Sequence, residues 1–143
     1  MKKIICFFIL INIFSFAKTD RCYKSQLKLK DDLLVNKIDE SLFSGMIING
    51  RDREYFTKGK AQGKWLTFYR NGKLKSIENW KDGHLNGKHI IYRETGVKYL
   101  ETNYKDGKEN GDYKIFYENG NPRIIGKFKE GKPVGDWKIY RKG

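Results

Sequence analysis

Downstream of Lys64 the chain alternates apolar and polar positions in short runs, and glycine closes each run. Trp65, Thr67 and Tyr69 alternate with Leu66 and Phe68, while Tyr113, Ile115 and Tyr117 alternate with Lys114 and Phe116. Period-two runs rich in aromatic and β-branched residues predict strands, and since neither parity is purely polar, neither side of the resulting sheet is expected to be plain solvent surface. Asn71-Gly72, Thr95-Gly96 and Asn119-Gly120 sit between runs. They predict two-residue hairpin turns with both central residues at positive φ. Asp82-Gly83, Asp106-Gly107 and Glu130-Gly131 are each followed four residues later by another glycine, which predicts a second, wider Gly-x-x-x-Gly reversal.

These signals recur with a fixed spacing. Gly63, Gly87, Gly111 and Gly135 open successive units, and 87 − 63, 111 − 87 and 135 − 111 each give 24. A constant period of this size predicts an array whose units bury nothing alone and stabilise one another by stacking. The expected fold is all-β, an elongated antiparallel meander sheet of consecutive β-hairpins over 63–143. The period places Trp65, His89, Tyr113 and Trp137 in one cross-strand row and Trp80, Tyr104 and Phe128 in another, aromatic ladders that stand in for a conventional core. Asn49-Gly50, Phe56 and Gly59 to Gly63 repeat the same landmarks in shortened form. A capping strand within Asp31 to Asp39 together with this degenerate unit is expected to fill 31–62, and 18–30 is expected to be a flexible basic arm.

The N-terminal residues follow other rules. Lys2 and Lys3 precede an apolar run from Ile4 to Phe16, interrupted by Asn12 and Ser15 and closed by Ala17. This is the layout of a secretory signal peptide over 1–17, too short for a comfortable membrane-spanning helix, and it predicts export to a periplasmic, envelope-associated or secreted location. Cleavage after Ala17 would remove Cys6 and leave Cys22 as a single thiol, so no intrachain disulfide is expected.

The chain carries 30 Lys and Arg against 17 Asp and Glu, a formal net charge of +13. A surface of this sign favours acidic partners: anionic lipid headgroups, envelope polymer, nucleic acid or acidic protein. Recurring lysines also keep an aromatic sheet soluble and discourage edge-to-edge pairing. Signals for chemistry are sparse. His84 and His89 lack partners at metal-ligand spacing, and Gly83 to Lys88 has three residues between its glycines where a phosphate loop has four. One carboxylate per turn supplies too few oxygens for calcium. No nucleic-acid motif accompanies the aromatic and lysine residues. The residues therefore predict a non-enzymatic protein with no metal and no cofactor.

The pattern Gly-Lys-Trp-x-x-x-Tyr-x-Asn-Gly at Gly63 to Gly72, followed by Trp-Lys-Asp-Gly-x-x-x-Gly at Trp80 to Gly87, resembles the MORN-repeat variant of bacterial proteins grouped as the YwqK-type antitoxin family. Glu40 to Gly45 followed by Asn49-Gly50 resembles the start these proteins show ahead of their repeats. The resemblance spans roughly 31–143 and departs from the pattern at Arg51 to Thr57 and at His89. It implies the hairpin array and an antitoxin role, which for an exported chain would be exercised in the envelope or outside. MORN repeats are also associated with membrane lipids and protein scaffolding. The expected function is binding of a protein partner, such as a toxin, through one aromatic and basic sheet face anchored by Trp65, Tyr69, Trp80, Tyr113 and Trp137. The alternative is adhesion to anionic membrane lipid or envelope polymer.

Overall fold

The computed structural model describes residues 21–22 and 24–141; the expected signal peptide lies outside the described residues. Strands follow one another as β1 (Arg21–Cys22), β2 (Leu27–Lys30), β3 (Leu33–Asn36), β4 (Gly45–Asn49), β5 (Asp52–Thr57), β6 (Lys60–Phe68) and β7 (Leu74–Lys81). They continue as β8 (His84–Leu85), β9 (Gly87–Tyr92), β10 (Lys98–Lys105), β11 (Lys108–Phe116), β12 (Pro122–Lys129) and β13 (Lys132–Ile139). From β4 to β13 each strand pairs antiparallel with the next in one long meander, β8 and β9 together forming the strand after β7. The all-β architecture of consecutive hairpins is the one the 24-residue period predicts.

The turn chemistry is the reverse of the expectation. The two-residue turns with both residues left-handed are Asp82-Gly83 (φ 51° and 87°), Asp106-Gly107 (49° and 80°) and Glu130-Gly131 (52° and 79°). Their geometry aims each glycine N–H along the array: Gly83 donates to the Ala61 carbonyl, Gly107 to Leu85 and Gly131 to Glu109, each at 2.9 Å. A wider loop could not hold that rung. At the Asn-Gly tips only the glycine is left-handed, Gly72 at 83° and Gly120 at 83°. There Tyr69 N–H donates to Lys73 O and Gly72 N–H to Tyr69 O at 2.8 and 2.9 Å, a three-residue loop with a glycine bulge. Asn71 stays right-handed because its Oδ1 accepts the Lys73 N–H at 2.9 Å, and Asn119 does the same for Asn121 at 3.0 Å. The glycines that open the units are not turn residues; Gly111 (φ 113°) sits where the β10–β11 ladder shifts register, and Gly87 (φ 106°) where the pairing with β7 shifts between β8 and β9.

The described N-terminal segment differs from a flexible arm. β2 and β3 form their own hairpin through Asp31-Asp32, apart from the main sheet, while β1 pairs parallel with β4. The apolar run expected as a capping strand supplies β3, Leu33–Asn36, which pairs with β2. This hairpin closes over the start of the array, and Leu27, Phe43 and Ile47 form the one cluster of fully buried apolar residues found there, with Leu34 and Phe56 against it. Gly59 is required at the junction: a Cβ would lie 2.9 Å from the Leu34 carbonyl oxygen. Glu40 accepts from Lys28 and Lys30, whose ammonium groups hold its carboxyl down at about 2. Beyond this cap the sheet is a single layer, so its stability rests on ladders and on side chains packed across one face.

Candidate binding face

Paired residues share a side of the sheet, so the register assigns every side chain to a face. Gly63 pairs with Trp80, Trp65 with Glu78 and Thr67 with Ser76. His89 pairs with Thr102, and Thr102 with Tyr113. All the aromatic rows therefore lie on one side. The two predicted rows exist, but the contacts run between them. Residues one period apart lie two strands apart, about 9.6 Å, too far for most rings to meet. Instead Trp65 touches Phe56 and Trp80, both at 5.0 Å between centroids, and Phe56 touches Phe43 at 6.1 Å. His89 meets Tyr104 at 5.8 Å, and Tyr113 meets Phe128 at 5.2 Å.

Glycine makes this zigzag possible. Trp80, Tyr104 and Phe128 stand opposite Gly63, Gly87 and Gly111, whose missing side chains leave room for each ring to lean. Gly126 is the extreme case. Trp137 lies across it, so that a Cβ would come within 2.3 Å of the indole, and from there reaches both Phe128 (5.1 Å) and Tyr113 (5.6 Å).

Of the five expected anchors, Trp65, Trp80, Tyr113 and Trp137 belong to this ribbon, and all are partly exposed. Their polar atoms are differently occupied. The Trp65 indole donates to the Tyr55 and Gln62 carbonyls at 2.9 and 3.2 Å, and Trp80 donates to Glu78 Oε2 at 3.0 Å. The indole nitrogen of Trp137 is buried without a partner.

Tyr69 is placed elsewhere, at a hairpin tip, where its hydroxyl donates to the Tyr92 carbonyl at 2.6 Å. Tyr117 bonds Tyr140 in the same way at 2.6 Å, and between them Arg93 donates to the Phe116 carbonyl at 2.9 Å. Each of these rungs reaches 23 residues ahead. A cation also stacks on a ring in every unit: Lys75 over Tyr69, Arg93 over Tyr99 and Arg123 over Tyr117. In the middle unit the ring and the cation have exchanged positions. Sequence reasoning missed this pairing, although both halves keep the 24-residue spacing.

Aromatic and basic character do not share a face. Apart from the bulged Lys75 and Arg123, no lysine or arginine of β4–β13 falls on the ring side by register; Lys64, Lys88, Lys114, Lys127 and Lys138 point to the opposite side. Two carboxylates on that opposite side are paired with lysine, Glu101 with Lys88 and Lys98, and Asp112 with Lys127 at 3.8 Å. The ring side carries Glu54, Glu78 and Glu109 by register. Burial together with the nearby Glu109 and Glu78 carboxylates pushes the Tyr104 phenol upward, and burial with Glu109 does the same to Tyr113. Burial pulls His89 below its ordinary 6.5, opposed in part by Glu78. Among the described residues no group of three or more His, Cys, Asp or Glu is placed to hold a metal ion, and no helix is long and apolar enough to cross a membrane.

A single-layer sheet of recurring hairpins, with the ring rows on one face and most strand lysines on the other, defines a β-repeat array. The family model described as MORN repeat variant matches residues 61–82 and 109–130. The matches begin 48 residues apart, two periods of 24, so the chain carries MORN-type repeats. No curated protein matches the chain.

Proposed function

We propose that this is a non-enzymatic, exported repeat protein that binds another protein through the ring-bearing face, in the manner of an antitoxin or immunity module. The observation that carries the reading is the series of ring clusters on one face from Phe43 to Trp137, partly exposed along most of its length, on a sheet that no second layer covers among the described residues. Partly exposed aromatic rings are the residue type that dominates protein interfaces. The likeness to antitoxin repeats supports the toxin-antitoxin part, and the N-terminal sequence supports export. Trp65, Trp80, Tyr113 and Trp137 are the anchors on the ribbon, and Tyr69 serves from the tip.

The test is affinity capture from envelope and soluble fractions in low and high salt, with Trp65→Ala/Trp80→Ala alongside the unaltered chain. A protein retained at high salt and lost with the double variant supports the reading. Capture indifferent to these rings refutes the face. A second reading, adhesion to anionic membrane lipid or envelope polymer, is favoured by the lysines collected on the opposite face; it predicts retention that vanishes as ionic strength rises.

A further inference from the structure

The net positive charge of the chain points to acidic partners, but the ring-bearing face has the opposite local character. Glu78 lies at its centre with a side chain 22% exposed. Its carboxylate accepts from Ser76 Oγ at 3.1 Å and from the Trp80 indole at 3.0 Å, which fixes its direction without neutralising it. Among the described residues the one basic group within 4.0 Å is His89, whose Nε2 is 3.9 Å away. Burial depresses the basicity of His89, which weakens it as a counter-charge to this carboxylate.

Around this carboxylate stand Trp65, its direct cross-strand partner, Trp80, His89 and, on the next strand, Tyr104. Here too the ribbon is interrupted, because the ring contacts stop at Trp80 and resume at His89. His89 Nδ1 and Thr102 Oγ1, cross-strand partners on the same face, are both buried without a hydrogen-bond partner. The equivalent positions one and two periods on are Thr102 and Gly126, since 78 + 24 = 102 and 102 + 24 = 126. At this step of the repeat a carboxylate therefore occurs once in the three full units; Glu109, also on the ring side, stands at a different step opposite Tyr104.

We propose that this notch receives a lysine or arginine side chain presented by the protein partner. A part-exposed carboxylate set beside aromatic rings attracts a cation by charge, and neighbouring rings favour the same guest. Among the described residues no lysine or arginine lies within 4.0 Å of the Glu78 carboxylate, which leaves the position open to a cation from outside. This rests on the ring-bearing face being the protein-binding face, and it specifies that the partner brings a basic residue there although the chain as a whole is basic.

The test titrates the protein with four probes: the blocked tripeptides Gly-Arg-Gly and Gly-Lys-Gly, the neutral Gly-citrulline-Gly, and tetramethylammonium. The indole N–H resonances of Trp65 and Trp80 report binding. A basic tripeptide should give saturable shifts with a dissociation constant of about 1 mM or weaker, the citrulline peptide none, and Glu78→Gln should weaken binding at least about tenfold. Lys114→Gln, on the opposite face, should leave it unchanged.

Equal shifts with citrulline, or shifts that survive Glu78→Gln in a variant whose circular dichroism is unaltered, overturn the proposal. Response to tetramethylammonium but to neither basic peptide overturns it as well, and names a quaternary amine as the occupant. If captured protein is lost with the Trp65/Trp80 double variant but kept by Glu78→Gln, the cation site fails and the face stands. If the peptides bind as expected while capture ignores the rings, the face reading fails and the notch stands.

Discussion

Replacing Gly126 by alanine should eject Trp137 from the ribbon. An added Cβ would sit 2.3 Å from Trp137 Cδ2 and 2.5 Å from two further ring atoms, all belonging to the rigid indole. Gly126 is not among the positive-φ glycines, so the cost is steric and not conformational. Displacing the indole removes its contacts with Tyr113 and Phe128, and at about 0.5–1.5 kcal/mol per aromatic pair the loss is about 1–3 kcal/mol. Trp137→Ala should cost about as much. The diagnostic result is the combination: once the indole is absent, alanine at 126 meets nothing and relieves the strand of a glycine, worth about 0.5–1 kcal/mol. The double variant should then be no less stable than Trp137→Ala, giving a coupling energy of about 2 kcal/mol. Urea denaturation followed by circular dichroism measures all four proteins. Gly120→Ala is the control, since it meets nothing within 4 Å but must hold a φ of 83°, and should cost about 1 kcal/mol in any background. Additive costs for Gly126→Ala and Trp137→Ala would refute the argument.

Three further outcomes are expected. Trp65→Phe keeps the ring contacts but loses the donor to Tyr55 and Gln62, so it should destabilise by about 1 kcal/mol, read from the shift in urea midpoint. Exchanging Arg93 and Tyr99, as Arg93→Tyr with Tyr99→Arg, restores the arrangement of the flanking units and should change stability by less than about 0.5 kcal/mol, whereas Arg93→Ala loses both the rung to Phe116 and the stack on Tyr99 and should cost about 1–3 kcal/mol. His89 has a folded pKa below its ordinary 6.5, so between those values the unfolded chain binds more protons. Its contribution is complete above 6.5 and is lost as pH falls through that value towards the lower folded one; thermal midpoints measured downward from neutral pH should decline in this window, and His89→Phe should flatten the decline.

Much of the fold was legible because the repeat spacing is a geometric constraint. A ring at 65, 89, 113 and 137 must occupy equivalent strands whatever its neighbours do. Row membership followed from that, but the direction of contact did not, because it depends on where glycine leaves room beside each ring. The turn types were exchanged for a related reason. Asn-Gly is a strong local signal, yet Asn71 is recruited by its own side chain to cap Lys73, while Asp82, Asp106 and Glu130 accept a left-handed backbone so that the following glycine can bond the preceding unit. Local preference yielded to an inter-unit hydrogen bond that no single repeat displays. The N-terminal hairpin was obscured because Leu27 and Leu29 stand among lysines, and the burial of Leu27 follows from the position of Phe43 and Ile47. At the candidate site the rings were visible, but the separation of rings from lysines required the register. Glu78 drew no attention because a lone glutamate in a strand carries no signal until Trp65, Trp80 and His89 are placed around it.

The bulge glycines fix where one unit may be cut and rejoined to another. Since Gly63, Gly87, Gly111 and Gly135 occupy the same step of the ladder, excising or duplicating a stretch between any two of them restores an intact junction, and the molecule grows or shrinks by about 9.6 Å per unit with both faces preserved. Length is thus a quantity that replication slippage can adjust in whole increments, and a partner's dimensions can be matched by copying a unit before any contact residue has to change.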